Sequence, residues 1–139
     1  MITKTFVEKA EAIATAIAQE LHLDFSLQSL ETVDSMLHDA RHWKKWDKDN
    51  LVERLGCYVG KVLIGETGGQ WCDEAQNARS LDASWVEVPS GIRVNPFVRC
   101  QKRIENGESD GVAVWAKVLV VTARQPAGKP ASEMEEVSS

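Results

Sequence analysis

Two histidines one helical turn apart come nearest to a catalytic pattern in this sequence. His38 and His42 enclose Asp39 in His-Asp-Ala-Arg-His, which matches the metal-binding pattern HExxH with aspartate in place of glutamate. Side chains at i and i+4 share one face of a helix, so both imidazoles could bind one metal ion. The aspartate is one methylene shorter than the glutamate that serves as general base in HExxH.

Asp34 lies one turn before His38 and extends the same row. Asp34, His38 and His42 therefore predict, as an alternative function, a metal-binding protein or a small metal-dependent hydrolase. The core stripe of this helix runs through Leu30 and Leu37, which places both histidines near solvent. A solvent-exposed helix face favours a coincidental pair of histidines over a metal site. The sequence therefore favours a non-enzymatic role, with no metal, no cofactor and no catalytic residue.

Aromatic and basic residues alternate where the second helix ends. Trp43, Lys44 and Trp46 stand in Trp-Lys-Lys-Trp, in a chain that holds five tryptophans. Tryptophan beside cationic side chains is enriched in protein interfaces. We therefore interpret Trp43, Lys44 and Trp46 as a candidate partner-binding surface, although the sequence favours a core-capping position for at least one of Trp43 and Trp46. The other tryptophans, Trp71, Trp85 and Trp115, are expected to fill the core.

The three cysteines do not form a recognisable site. Cys57, Cys72 and Cys100 are widely spaced and include no CxxC pair, which argues against a zinc ribbon or a thioredoxin-type centre. Reduced structural thiols are typical of cytoplasmic proteins. Cys72 follows Trp71 in a predicted strand and would point away from it, so Cys72 is the thiol to test for reactivity, although the sequence favours a structural role for all three cysteines.

Composition limits the function further. The chain has 139 residues, 43% of them hydrophobic, and a formal net charge of −5. The acidic balance argues against nucleic-acid binding, and no apolar run is long enough to cross a bilayer. We predict one domain over residues 1–123, a disordered tail over 124–139 rich in Pro, Gly, Ser and Glu, and a cytoplasmic location. The sequence gives no oligomeric state.

Apolar periodicity predicts an α+β fold with three N-terminal helices, a small three-stranded antiparallel sheet and two C-terminal helices on a single core. The first helix should run from Thr5 to His22. The second should start at Ser26 or Ser29. The third should span Lys48–Ile64 after a cap at Asp47 or Asp49.

The stretch from Leu55 to Trp71 is the most informative about structure. Its helix is apolar almost all round, which predicts a buried central helix. Gly56 and Gly60 lie one turn apart, so another element should approach closely there. Gly65, Gly68 and Gly69 lack the Lys-Ser/Thr of a phosphate-binding loop and precede a strand, so they predict a chain reversal.

The C-terminal half contains one clear signal and one ambiguity. Asn95-Pro96 is a strong helix start. Ser109 could cap a last helix over Asp110–Ala123, although its valines also favour a strand. Between the two helical halves, strands are expected at 70–73, 83–88 and 92–94, with residues 74–81 as a loop.

Several short motifs resemble a family of small bacterial proteins known only as a domain of unknown function, over about two-thirds of the chain. The pattern is also similar to that of some immunity proteins, which neutralise toxins delivered between bacteria. The resemblance implies an α+β domain in a bacterial cytoplasm, with a protein partner such as a toxin and no catalytic residue. The matching pieces are Leu30-x-x-x-Asp34-x-x-Leu37, Leu55-Gly-x-Tyr-x-Gly-x-Val-Leu63, Gly68-Gly-x-Trp71, Asn95-Pro-Phe97 and Lys102-Arg-Ile-x-x-Gly107.

Overall fold

The order of elements along the chain is helices, then a sheet, then helices again, as the apolar periodicity predicts. A computed structural model describes residues 4–73 and 84–123. The predicted loop at 74–81 and the predicted tail at 124–139 lie outside these residues. The described elements are α1 (Lys4–Leu21), α2 (Leu30–Asp39), α3 (Lys45–Thr67), β1 (Gln70–Asp73), β2 (Ser84–Glu87), β3 (Arg93–Val94), α4 (Pro96–Asn106) and α5 (Val112–Ala123).

The α+β class is confirmed, and α3 is the central helix that the sequence predicts. α3 packs against α1, α4 and α5 and against the sheet. An ideal Cβ at Gly56 would lie 2.1 Å from Phe97 Cδ1, and one at Gly60 would lie 2.3 Å from Trp71 Cη2. These distances are far inside van der Waals contact, so only glycine lets α4 and β1 approach so closely.

The end of α3 turns the chain into the sheet. Gly68 has φ 77°, a left-handed conformation, and its N–H donates to the Ile64 carbonyl at 2.8 Å. Glycine adopts this conformation without the steric cost that a Cβ would bring. The strands then pair antiparallel in the order β1-β2-β3, with Trp71 opposite Val86. The predicted chain reversal is confirmed at Gly68 and Gly69, whereas α3 continues through Gly65 to Thr67, past the predicted end at Ile64.

The sheet buries one face. Trp71 is buried, and its indole stacks on Phe97 with ring centroids 5.8 Å apart. Val86 is fully buried, so the neighbouring Trp85 projects to the other face and stays half-buried. Trp115 on α5 is half-buried as well. The expectation that Trp71, Trp85 and Trp115 fill the core therefore holds for Trp71 and in part for Trp115, which packs against the edge of the core.

Local capping chemistry places the starts of α2 and α4. The Asn95 Oδ1 accepts from the backbone N–H of Phe97 at 2.9 Å and of Val98 at 3.0 Å, which confirms the predicted cap. At α2, Ser29 holds the N-cap position without a side-chain cap of its own. Its N–H donates to Ser26 Oγ at 3.1 Å, so both predicted serines contribute.

The predicted start of α3 is wrong. α3 begins at Lys45, with Lys44 at the N-cap position, and neither Asp47 nor Asp49 caps it. Trp43 and Lys44 have extended ψ angles of 161° and 152°. The extended link between the preceding 3₁₀ turn and α3 therefore ends at Lys44, before either aspartate. Asp47 instead lies in the first turn, where its charge is favourable toward the helix dipole.

The predicted cap of α5 is also wrong, although the segment is a helix. Residues Gly107–Asp110 form a 3₁₀ turn, and α5 starts only at Val112. Ser109 does not cap α5. Asp34 of α2 does, because its Oδ1 accepts from the Val112 N–H at 2.7 Å and its Oδ2 accepts from the Ala113 N–H at 2.9 Å. The cap comes from another helix, so no local pattern could reveal it.

Candidate functional site

An open groove of about 750 Å³ lies where α1, α2 and the start of α3 meet. We call it the Trp43 groove. Its apolar floor consists of Ile17, Leu21, Met36 and Leu51, and its rim carries Glu20, His42, Trp43, Lys44, Asp47, Asn50 and Arg54. Two of the three residues that the sequence nominates for partner binding, Trp43 and Lys44, therefore line one concave surface.

The two tryptophans at the start of α3 are unusually exposed. Trp43 keeps 44% of its surface accessible and Trp46 keeps 74%, so neither takes the core-capping position that the sequence favours for one of them. The extended backbone at Trp43 carries this indole to the groove, while Trp46 lies in the first turn of α3, beyond the groove lining. Large aromatic side chains left in water are a common mark of an interaction surface.

The rim of the groove has no net preference for either sign of charge. Arg54 forms an ion pair with Glu20, which ties α3 to α1 across the groove. Lys44 and Asp47 provide one further charge of each sign. A partner segment would therefore be selected here by shape and apolar burial more than by net charge.

The floor residues are the part that the sequence did not identify. Ile17 and Leu21 belong to the predicted core face of α1, and their periodicity alone does not show that the last turn of this face borders a cavity. The groove requires the long-range packing of α1 against α3. The sequence feature that indicates this site is the Trp-Lys-Lys-Trp run, which contributes Trp43 and Lys44 to the rim of the groove.

The row of Asp34, His38 and His42 is interrupted in the structure. α2 ends at Asp39, and Ala40–His42 form a 3₁₀ turn. A 3₁₀ turn has a different number of residues per turn, so the i, i+4 relation between the histidines is not that of a continuous α-helix. His38 is half-buried, whereas His42 is exposed and lines the Trp43 groove.

The Asp34 carboxylate already has three hydrogen-bond donors. Besides the two N–H groups of α5, its Oδ1 accepts from Arg103 Nε at 3.2 Å. Arg103 is only 5% exposed, and its Nη1 has no hydrogen-bond partner among the described residues. Within residues 4–73 and 84–123, no group of three or more His, Cys, Asp and Glu side chains could hold a metal ion. Asp34 therefore acts here as a structural tie between α2, α4 and α5.

The cysteines differ in their chemical environment. Cys57 and Cys100 are buried, and Cys72 is half-buried. Burial raises the pKa of Cys57 to about 12, with the charge of Glu53 adding to the shift and that of Lys9 opposing it. Burial likewise raises the pKa of Cys100. A thiol that stays protonated is a poor nucleophile, so neither buried cysteine is suited to catalysis.

We expect one fast-reacting thiol per folded chain. At pH 8, Cys72 should react with Ellman's reagent within minutes, whereas Cys57 and Cys100 should react only after unfolding in urea, because burial keeps them protonated and covered. A Cys72→Ser variant should lose the fast phase and keep the slow one. Fast labelling of Cys57 or Cys100 in the native protein would contradict the packing of α3 against α4.

No protein-family model, curated protein or solved structure matches this chain. The resemblance to immunity-like proteins consequently stays a prediction. Among the described helices, none is both long and apolar enough to span a membrane.

Proposed function

We propose that this protein is a non-enzymatic protein-binding module and that the Trp43 groove receives bulky apolar side chains of a partner protein. The observation that carries the proposal is the exposure of Trp46 and Trp43, 74% and 44%, beside a groove with an apolar floor. Tryptophan is among the residues that contribute most to binding energy in protein interfaces. Exposed indoles lose unfavourable contact with water when a partner covers them.

The groove is built on a rigid platform. Leu51 and Arg54 project from α3, whose middle is buried on all sides by α1, α4 and the sheet. Preformed surfaces bind more tightly because they lose less conformational entropy on association. Such a platform supports binding without the positioned acid, base or nucleophile that an enzyme requires.

The resemblance to immunity proteins supports one form of this function. An immunity-like protein binds a toxin in the bacterial cytoplasm, and a regulatory protein binds a different target by the same kind of surface. The net charge of −5 is compatible with either partner and unfavourable for nucleic acid. In both cases Trp43, Lys44 and Trp46 are the residues that we assign to the contact.

Selection from a displayed peptide library tests the proposal without a known partner. Peptides enriched on the wild-type protein should bind at least tenfold more weakly to a Trp43→Ala/Trp46→Ala variant, because both indoles are assigned to the contact. Both side chains are exposed, so the thermal unfolding midpoint should change little.

Thr32→Ala is the control, since it truncates an exposed side chain of α2 that does not line the groove. It should leave the affinity of these peptides unchanged. Peptides that bind the double tryptophan variant as well as the wild type, or a library that yields no enrichment, would overturn the proposal.

A further inference from the structure

A second pocket lies on a different part of the surface and shares no lining residue with the Trp43 groove. It has a volume of about 220 Å³ and lies among β2, β3, α4 and α5. We call it the indole pocket, after the Trp85 and Trp115 side chains that line it together with Val98, Arg99 and Lys102. Both indoles are half-buried. The sequence placed them in the core and therefore did not predict this site.

Exposed valines extend the apolar surface beyond the pocket. Val98 of α4 is 38% exposed, and Val114 and Val118 of α5 are 68% and 43% exposed. Val118 lies one turn from both Val114 and Trp115, so these side chains form neighbouring positions on α5. The pocket thus opens beside an apolar helix face that is left exposed within residues 84–123.

Positive charge surrounds this surface in a chain that is acidic overall. The Arg99 guanidinium lies over the Trp115 ring, 5.0 Å from its centroid, and pairs with Asp110 at 3.3 Å. Lys102 and Lys117 are exposed, and neither forms an ion pair with another residue of the described ranges. Asp110 offsets Arg99, and the exposed Glu105, one turn from Lys102 on α4, offsets part of the remaining charge, so the two lysines leave a small local positive excess.

We propose that this face binds an acidic amphipathic segment of a partner protein, with one apolar side chain inserted between Trp85 and Trp115. The pocket is smaller than the roughly 300–1,000 Å³ typical of small-molecule sites, and its size suits a single side chain. The valines supply apolar contact beside the anchor, and Lys102 and Lys117 select glutamate or aspartate on the partner. This surface does not depend on the Trp43 groove.

Fluorescence anisotropy with two designed peptides tests the proposal. The probe is a fluorescein-labelled amphipathic peptide with leucine on one face and glutamate on the other, and its counterpart carries lysine in place of glutamate. The full-length protein should bind the glutamate peptide, more weakly at 0.5 M salt because salt screens exposed charges. It should not bind the lysine peptide.

Charge reversal locates the binding. Lys102→Glu/Lys117→Glu should weaken binding of the glutamate peptide at least tenfold, and Val118→Ala should weaken it measurably without affecting the fold. Lys9→Glu/Lys48→Glu changes the net charge equally at two positions that line neither the indole pocket nor the Trp43 groove, and should leave the affinity close to that of the wild type. Equal binding by both reversal variants, or binding of the lysine peptide, would overturn the proposal. Binding to phosphatidylserine vesicles in place of the peptide would overturn it too.

Discussion

An Asp34→Ala variant is expected to lose about 3–5 kcal/mol of stability, the range found when one partner of a buried charge pair is removed. The Asp34 carboxylate accepts from Arg103 Nε and from the first two N–H groups of α5. Its removal leaves the Arg103 charge buried without its partner and leaves α5 uncapped. This loss is a large part of the 5–15 kcal/mol typical of a whole domain.

Urea unfolding of a double-mutant cycle measures the effect. Arg103→Met removes the buried charge, so adding it to Asp34→Ala should restore part of the lost stability. If Asp34→Ala alone does not fold, the double variant still provides a folded protein whose stability can be measured. Asp49→Ala is the control, because the ion pair between Asp49 and Lys45 is exposed to solvent. This substitution should leave the urea unfolding midpoint unchanged. An Asp34→Ala protein as stable as Asp49→Ala would contradict the structural role of Asp34.

Gly60→Ala and Gly65→Ala should change stability in opposite directions although both lie on α3. At Gly60 the added methyl would overlap the buried Trp71 indole, with only 2.3 Å to Cη2, and overpacking of this kind typically costs 1–3 kcal/mol. At Gly65 the methyl meets no atom within 4 Å, so the gain in helix propensity, about 1 kcal/mol, is retained.

Gly56→Ala extends the test to the neighbouring turn. Its methyl would lie 2.1 Å from Phe97 Cδ1. Because Phe97 stacks on Trp71, the losses at Gly56 and Gly60 should be non-additive in the double variant. Thermal unfolding of the single and double variants gives these terms. A Gly60→Ala protein that gains stability as Gly65→Ala does would contradict the close approach of β1 to α3.

Elements set by nearby residues could be predicted from the sequence. Asn95 accepts from N–H groups two and three residues ahead, so the residues that determine the start of α4 are neighbours in the sequence. The apolar composition of α3 predicts its burial. The absence of side chains at Gly56 and Gly60 predicts that another element approaches the helix closely there. The α+β class followed from the same periodicity.

Features made by distant residues could not be predicted. The cap of α5 joins residues 78 positions apart, Asp34 and Val112. A metal pair at His38 and His42 is inferred from their i, i+4 spacing, and this inference requires an unbroken helix. In the structure α2 ends at Asp39, between the two histidines. At the candidate site, the sequence predicted Trp43, Lys44 and Trp46, while the groove beside them depends on α1 packing against α3.

The most direct test of the proposed function uses the tryptophans as reporters of position. Indole N–H signals of ¹⁵N-tryptophan-labelled protein can be followed by NMR while the peptide enriched on the wild type is added. We predict shifts for Trp43, which lines the groove, and for Trp46, which is exposed beside it, and none for Trp71, which is buried against Phe97. Shifts confined to Trp85 and Trp115, or unchanged Trp43 and Trp46 signals at saturation, would contradict binding in the Trp43 groove.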